Sequence, residues 1–116
     1  METRPRHVEH FELSEGKYPF RDWLLGLKDS PTRHRLEVRL RKLLMGNPGH
    51  ARAVGEGVVE LIEVFGPGFR IYVGEDGPTL VILLNGGAKG TQQKDINLAK
   101  AYWTIYKSRK GGRHHG

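Results

Sequence analysis

The chain of 116 residues contains no cysteine, and none of its apolar runs is long. The lack of cysteine excludes disulfides, thiolate metal ligands and a cysteine nucleophile. No stretch is apolar enough to span a membrane, and the charged start "METRPRHVEHFEL" lacks the apolar segment of a signal peptide. We therefore expect a cytoplasmic protein. We also expect one domain, because a chain of this length can bury one core but not two.

Metal-ligand spacing is also missing. The chain has six histidines, two of them in the C-terminal run "KSRKGGRHHG", and none forms an H-x-x-x-H pair. We therefore expect no metal and no cofactor.

What the sequence has in excess is positive charge, with a formal net charge of +6. A small basic domain attracts polyanions, and nucleic acid is the commonest polyanion in a cell.

The apolar patterns predict three helices and four strands. The first strand is "RHVEHFEL", and two helices follow, one with apolar residues at Phe20, Trp23 and Leu24 and one that begins at Ser30. The runs "GVVELIEVFG", "FRIYV" and "TLVILLN", joined by "GPG" and "EDGP", indicate an antiparallel meander. A third helix follows. The order β-α-α-β-β-β-α predicts an α+β fold with a small antiparallel sheet, helices packed on one face and the other face open.

The stretch "LLNGGAKGTQQKDINLAKAYW", residues 83 to 103, passes from a strand through glycines and a lysine into a helix. A P-loop requires glycine directly before the lysine and a hydroxyl residue directly after it. The order Ala88, Lys89, Gly90 fails this test, so a nucleotide hydrolase is not indicated. The free amides at a helix start still favour an anion, with Lys89 just ahead of them. The alternative is a strand-to-helix connection that binds nothing and whose glycines only allow the chain to bend.

The alternation in "FRIYV" sends Arg70 and Tyr72 to one face of the sheet, which we expect to be the open one. An arginine beside a tyrosine can hold a phosphate and stack on a base. The alternative is that both are solvated strand residues, with Arg70 paired to Glu60.

Five stretches together resemble the RelE/ParE superfamily of bacterial toxins, and in particular its phage-derived, HigB-like addiction module killer branch. They are "GKYPFRDWLLGL", "RLRKLLMGNPG", "VGEGVVEL", "FGPGFRIYV" and "LLNGGAKGTQQKDINLAKAYW", and they cover most of residues 8 to 107. The resemblance implies a single toxin domain over residues 1–107, followed by a basic, flexible tail over residues 108–116.

The resemblance also implies an activity: a ribosome-dependent mRNA endonuclease, the toxin of a type II toxin–antitoxin module, which blocks translation and growth. Its partners would be the ribosome, mRNA and a cognate antitoxin with a helix-turn-helix. Such enzymes use no metal. In the mechanism that the resemblance implies, the ribose 2′-OH attacks the adjacent phosphate, which breaks the chain and leaves a cyclic phosphate. This chemistry needs a base, an acid and cations that stabilise the charged phosphorane.

Carried onto this sequence, the resemblance assigns catalysis to Arg70, which would stabilise the transition-state phosphate, and to Lys89, as a phosphate clamp or acid. The residues expected to bind RNA are Arg52, Tyr72, Gln92, Gln93 and Lys94.

Two departures from the family pattern weaken this assignment. The family usually has "E-L-R" on the second strand, whereas this chain has Ile62 in place of the arginine, followed by Glu63. The position after the double glycine, usually acidic, is Ala88. Loss of one catalytic cation can cost about a hundredfold in rate. A weak nuclease, a ParE-like inhibitor of DNA gyrase without nuclease activity and an attenuated RNA-binding relative therefore remain open.

Overall fold

The computed structural model describes residues 5–113. Along this part of the chain the elements are strand β1 (His7–His10), helix α1 (Pro19–Gly26), helix α2 (Ser30–Leu44), strands β2 (Ala51–Gly55), β3 (Val58–Glu63), β4 (Phe69–Asp76) and β5 (Leu80–Ala88), a 3₁₀ turn (Lys89–Thr91) and helix α3 (Gln92–Arg113). The strands form one sheet in the order β1-β5-β4-β3-β2. Strand β1 runs parallel to β5, and the other neighbouring pairs are antiparallel.

The predicted α+β class is confirmed, but the predicted small antiparallel sheet is wrong in two respects. The sheet is mixed, because β1 pairs in parallel with β5. It also contains a further strand, β2, beyond the four strands that the sequence predicted. Strand β2 is a short edge strand whose residues are exposed or half-buried, so it lacks a clear apolar alternation. This segment is a strand because it pairs with β3, with Arg52 opposite Glu60, although its own residues show no strand pattern.

Helices α1 and α2 cover one face of the sheet. Pro19 stands in the first turn of α1, and the carboxylate of Asp29 caps α2 by accepting from the backbone N–H of Thr32. The buried residues of this layer are Phe20, Leu24, Leu36, Leu43, Leu61, Phe69, Ile71, Val73, Val81 and Leu83.

Helix α3 covers the opposite face, so the prediction that the helices share one face is wrong. Its Ile96, Ala99 and Trp103 form a second buried cluster with the sheet residues Val58, Tyr72, Ile82 and Leu84 and with Phe11. The expectation of one core is therefore wrong, since one sheet separates two buried clusters. The reason lies in strand β5, which is apolar at every position from residue 80 to residue 84. A strand of this composition is apolar on both faces and has to be covered on both.

Helix α3 continues to Arg113, so residues 108–113, predicted to belong to a flexible tail, are helical. The guanidinium of Arg109 donates to the backbone carbonyls of Glu12 and Leu13, and Lys110 pairs with Asp76. Residues 114–116 of the predicted tail lie outside the described residues. Within residues 5–113, no helix has the length and apolar character needed to cross a membrane.

Candidate functional site

The candidate site lies on the α3 face of the sheet, near the first turn of that helix. The alternation of β4 places Ile71 in the core under α1 and α2, and it places Arg70 and Tyr72 on the α3 side. On β3 the same alternation separates Leu61 from Glu60. The predicted grouping of Arg70 with Tyr72 on one face is therefore present, but α3 covers much of that face.

The centre of the site is the carboxylate of Glu60, which is completely buried. It accepts a hydrogen bond from the Nε of Arg52 at 2.8 Å, from the hydroxyl of Tyr72 at 3.0 Å and from the amide of Gln92 at 2.9 Å. The Nε of Arg70 lies 3.9 Å from the same carboxylate. One carboxylate thus gathers side chains from β2, β4 and the start of α3. We call these five residues the Glu60 cluster.

Hydrogen bonding sets the protonation states in the Glu60 cluster. Burial by itself raises the pKa of the Glu60 carboxyl, but the hydrogen bonds from Arg52, Gln92 and Tyr72 outweigh burial and bring that pKa below its ordinary value. Burial, followed by the negative charge of Glu60, raises the pKa of the Tyr72 hydroxyl. At neutral pH Glu60 is therefore a carboxylate and Tyr72 a neutral phenol.

Lys89 and Arg70 both lie against the Gly66–Pro67–Gly68 turn. Arg70 and Lys89 line a cavity of about 200 Å³ with Val64 and the turn itself. A Cβ built on Gly68 would lie 3.4 Å from the Cβ of Lys89 and 3.6 Å from the Nη1 of Arg70. The backbone N–H of Lys89 donates to the carbonyl of Gly68 at 2.9 Å, which fixes the lysine against the turn.

The two predicted catalytic residues therefore lie at one cavity, and Arg52 joins them through the Glu60 cluster. Arg52, Arg70 and Lys89 carry three positive charges, against the two carboxylates of Glu60 and of Asp95, whose charge also acts on Tyr72. The site thus has an excess of positive charge, which favours an anion.

The remaining predicted RNA-binding residues are placed differently. Tyr72 is fully buried, so the prediction that it stacks on a base is wrong; α3 covers its ring. Gln92 is half-buried and holds Glu60. Gln93 is exposed and donates to Asn97 on its own helix, and Lys94 is exposed in the first turn of α3.

The start of α3 is closed onto strand β5 by Asp95. The hydroxyl of Thr91 donates to the Asp95 carboxylate at 2.5 Å. A Cβ built on Gly87 would lie only 1.9 Å from the Oδ2 of that carboxylate. The residue at position 87 therefore has to be glycine for the helix to begin this close to the strand.

Glu60 is the residue whose importance the sequence did not indicate. From the sequence, Glu60 is predicted only as an alternative ion-pair partner of Arg70. The available signal was an acidic residue inside the apolar run "VVELI", at a position that alternation directs toward the same face as Arg70 and Tyr72.

The departures from the toxin pattern can also be located in the structure. Ile62 stands opposite Arg70 in the β3–β4 register, so the arginine of that pattern would lie beside Arg70. Glu63 lies on the other face of the sheet, where its carboxylate pairs with Arg39 at 2.6 Å. Ala88 is half-buried against the core under α1 and α2. Of the departures, Ile62 is the one that changes the site.

In residues 5–113, no three histidine, aspartate or glutamate side chains are grouped so that they could hold a metal ion. The chain is 41% identical over 81 residues to a protein of Haemophilus influenzae described as uncharacterized, and the match covers 70% of this chain and 82% of that protein. No protein-family model matches the chain, and no solved structure matches it.

Proposed function

We propose that this chain, which belongs to the same family as the Haemophilus influenzae protein, is a metal-independent endoribonuclease that cuts mRNA on the ribosome. In this proposal it is the toxin of a toxin–antitoxin module, and a cognate antitoxin keeps it inactive. The observation that carries the proposal is that Arg70 meets Lys89 at one cavity and meets Arg52 at one buried carboxylate, so that cations from three separate elements are brought together.

The arrangement suits a phosphate that gains charge during the reaction. When the 2′-oxygen attacks phosphorus, the new O–P bond forms and the P–O5′ bond breaks through a phosphorane of increased negative charge. Guanidinium groups already held in place stabilise that charge without reorganising. We assign this stabilisation to Arg70, with Arg52 as a second contact for the RNA backbone.

The proton transfers require exposed groups. Glu60 and Tyr72 are fully buried and engaged with each other, so neither contacts a ribose. Lys89 is exposed at the mouth of the cavity. We assign its ammonium the transfer of a proton to the leaving 5′-oxygen, while the proton of the 2′-OH passes to water.

A ParE-like inhibitor of DNA gyrase is the second candidate, and Ile62 is the observation that favours it. At this position the site has an aliphatic side chain instead of the arginine of the toxin pattern that the sequence resembles. The two functions differ in what they leave in the cell: cut mRNA in one case, and trapped gyrase–DNA complexes with intact mRNA in the other.

The deciding experiment measures mRNA cleavage in a translating extract for the wild type and for Arg70→Ala, with Arg41→Ala as control. Arg41 is an exposed arginine on α2, away from the site. We expect Arg70→Ala to lower the cleavage rate by about a hundredfold or more and Arg41→Ala to leave it near the wild-type rate. Intact mRNA with the wild-type protein would reject the nuclease, and gyrase–DNA complexes would then support the second candidate.

A further inference from the structure

We propose that Glu60 is the positioning residue of the site: it holds Arg52 by Nε, so that both Nη groups of this arginine are presented to an RNA phosphate. The substrate named here rests on the proposed function. The hydrogen bonds that carry the proposal do not depend on it.

The position of the carboxylate is unusual for a stabilising group. Glu60 lies in the middle of β3 with no exposed side-chain surface. A buried ion pair adds little net stability, since the cost of removing both charges from water offsets their attraction. The cluster does have a geometric effect, because one carboxylate fixes side chains from β2, β4 and α3 in a single arrangement.

Arg52 is the member of the cluster that faces solvent. Its side chain is 56% exposed, and its bond to Glu60 uses Nε. A guanidinium carries five donors in a rigid fork. When Nε is held by one carboxylate, the edge of the guanidinium formed by the two Nη groups faces a different direction and retains donors. The orientation of these groups is then set by the hydrogen bond to Glu60, whereas an arginine without that bond would sample many rotamers in water.

A lysine at position 52 would not be equivalent. Its ammonium is a single point charge on a flexible stem, and it cannot form the planar fork that binds a carboxylate on one side and a phosphate on the other. A lysine would keep the net charge of the site and lose the fixed orientation. The charge and the orientation of Arg52 can therefore be separated by experiment.

Glu60 also opposes RNA binding, because it places a negative charge among the cations of the site. Replacing it with glutamine makes the site more positive, and RNA binding by basic side chains strengthens with positive charge. A positioning role therefore predicts that Glu60→Gln affects RNA binding and cleavage differently. RNA binding stays equal or becomes tighter, while cleavage slows. A purely structural role predicts that both decline together.

The experiment compares Glu60→Gln with Glu63→Gln. Glu63 is a matched control, because it lies on the same strand and pairs with Arg39 on the opposite face. Affinity is measured with an oligonucleotide whose 2′-OH at the cut site is replaced by hydrogen, and cleavage is measured in a single turnover. We expect Glu60→Gln to bind equally or a few-fold more tightly and to cleave at least about tenfold more slowly. Unchanged or faster cleavage would overturn the proposal, as would a parallel loss of both properties.

A second variant tests the proposal if Glu60→Gln does not fold. Arg52→Lys alters an exposed side chain and leaves the buried carboxylate in place. We expect its RNA affinity to change by less than about threefold, since the charge is kept, and its cleavage to fall at least about tenfold. Wild-type cleavage by Arg52→Lys would overturn the proposal.

A third measurement separates this proposal from the nuclease function. The Nε–Hε resonance of Arg52 is followed by NMR while inorganic phosphate is added. In the wild type we expect a slowly exchanging signal that shifts with phosphate, and in Glu60→Gln the slow exchange should be lost. If the wild type cuts no RNA but shows these signals, the nuclease fails and the positioning role stands. If the Arg52 resonance does not shift with phosphate, or if its exchange is identical in the wild type and in Glu60→Gln, the positioning role fails.

Discussion

At the scale of single residues, the site depends on a balance between one carboxylate and the cations around it. Glu60 stays ionised because its donors outweigh the effect of burial on its pKa. The same donors are the groups that would meet a substrate or support those that do. Tyr72, with its raised pKa, remains a neutral donor in this network.

The lowered pKa of Glu60 predicts how stability changes with pH. Its folded pKa lies below the ordinary carboxyl value of about 4.5. The corresponding stabilisation is therefore fully present above about pH 4.5 and is lost as the pH falls through the folded pKa. Urea unfolding from pH 7 to pH 3 should show a larger loss of unfolding free energy for the wild type than for Glu60→Gln. Equal losses would contradict the lowered pKa.

Tyr72→Phe tests the buried role of this tyrosine. The substitution keeps the ring in its core and removes one donor to a buried carboxylate. We expect a loss of about 1–3 kcal/mol in unfolding free energy, as for a hydrogen bond to a charged group. Tyr102→Phe, at a half-buried tyrosine elsewhere on α3, is the control. Equal stability of Tyr72→Phe and wild type would mean that the hydroxyl does not support Glu60.

At the scale of elements, strand β3 decides what the site contains. Its alternation directs Glu60 and Ile62 toward the α3 face, and it directs Leu61 and Glu63 toward the opposite face. The two departures from the toxin pattern on this strand therefore differ in meaning. Glu63 is explained by its pair with Arg39, whereas Ile62 leaves an aliphatic group opposite Arg70.

Ile62→Arg should restore a cation to the site. Because Ile62 is opposite Arg70 in the register, the new guanidinium would lie beside the proposed phosphate contact. We expect cleavage to increase several-fold and the salt dependence of RNA binding to steepen by about 0.7 per added phosphate contact. His34→Arg adds the same charge at an exposed position of α2 and serves as the control. Equal effects of the two variants would show that only the total charge matters.

At the scale of the whole molecule, the sheet is covered on both faces, and two tryptophans lie directly over glycines. A Cβ built on Gly74 would come within 2.4 Å of Trp103 on α3, and one on Gly86 within 2.4 Å of Trp23 on α1. Contacts this close leave no room for a side chain. The glycines therefore allow each helix layer to approach the sheet.

Gly74→Ala and Gly86→Ala should each destabilise the protein by about 1–3 kcal/mol, the cost of overpacking a core. Gly26→Ala is the control, since a Cβ there meets no atom within 4 Å. Thermal unfolding measures all three variants. If Gly74→Ala unfolded like the wild type, α3 would not lie over the sheet as described.

Local patterns in the sequence predicted much of this fold. The spacing of apolar residues located α1, α2 and α3, and the turns "GPG" and "EDGP" joined three strands of the meander. Such features depend on neighbours a few residues apart. The pairing of β1 with β5 places His7 opposite Leu80, which is distant in the sequence. Strand β2 forms only because it pairs with β3. No local pattern carries that information.

The same division holds for the site. The sequence by itself determined that Arg70 and Tyr72 share a face and that Lys89 stands ahead of a helix, because strand alternation and the chain order require both. Only the tertiary structure decided that α3 crosses that face, that Tyr72 is buried beneath it, and that Glu60 joins Arg52, Arg70 and Gln92. The physical reason is that burial depends on which element covers a face, and that depends on the packing of the whole chain.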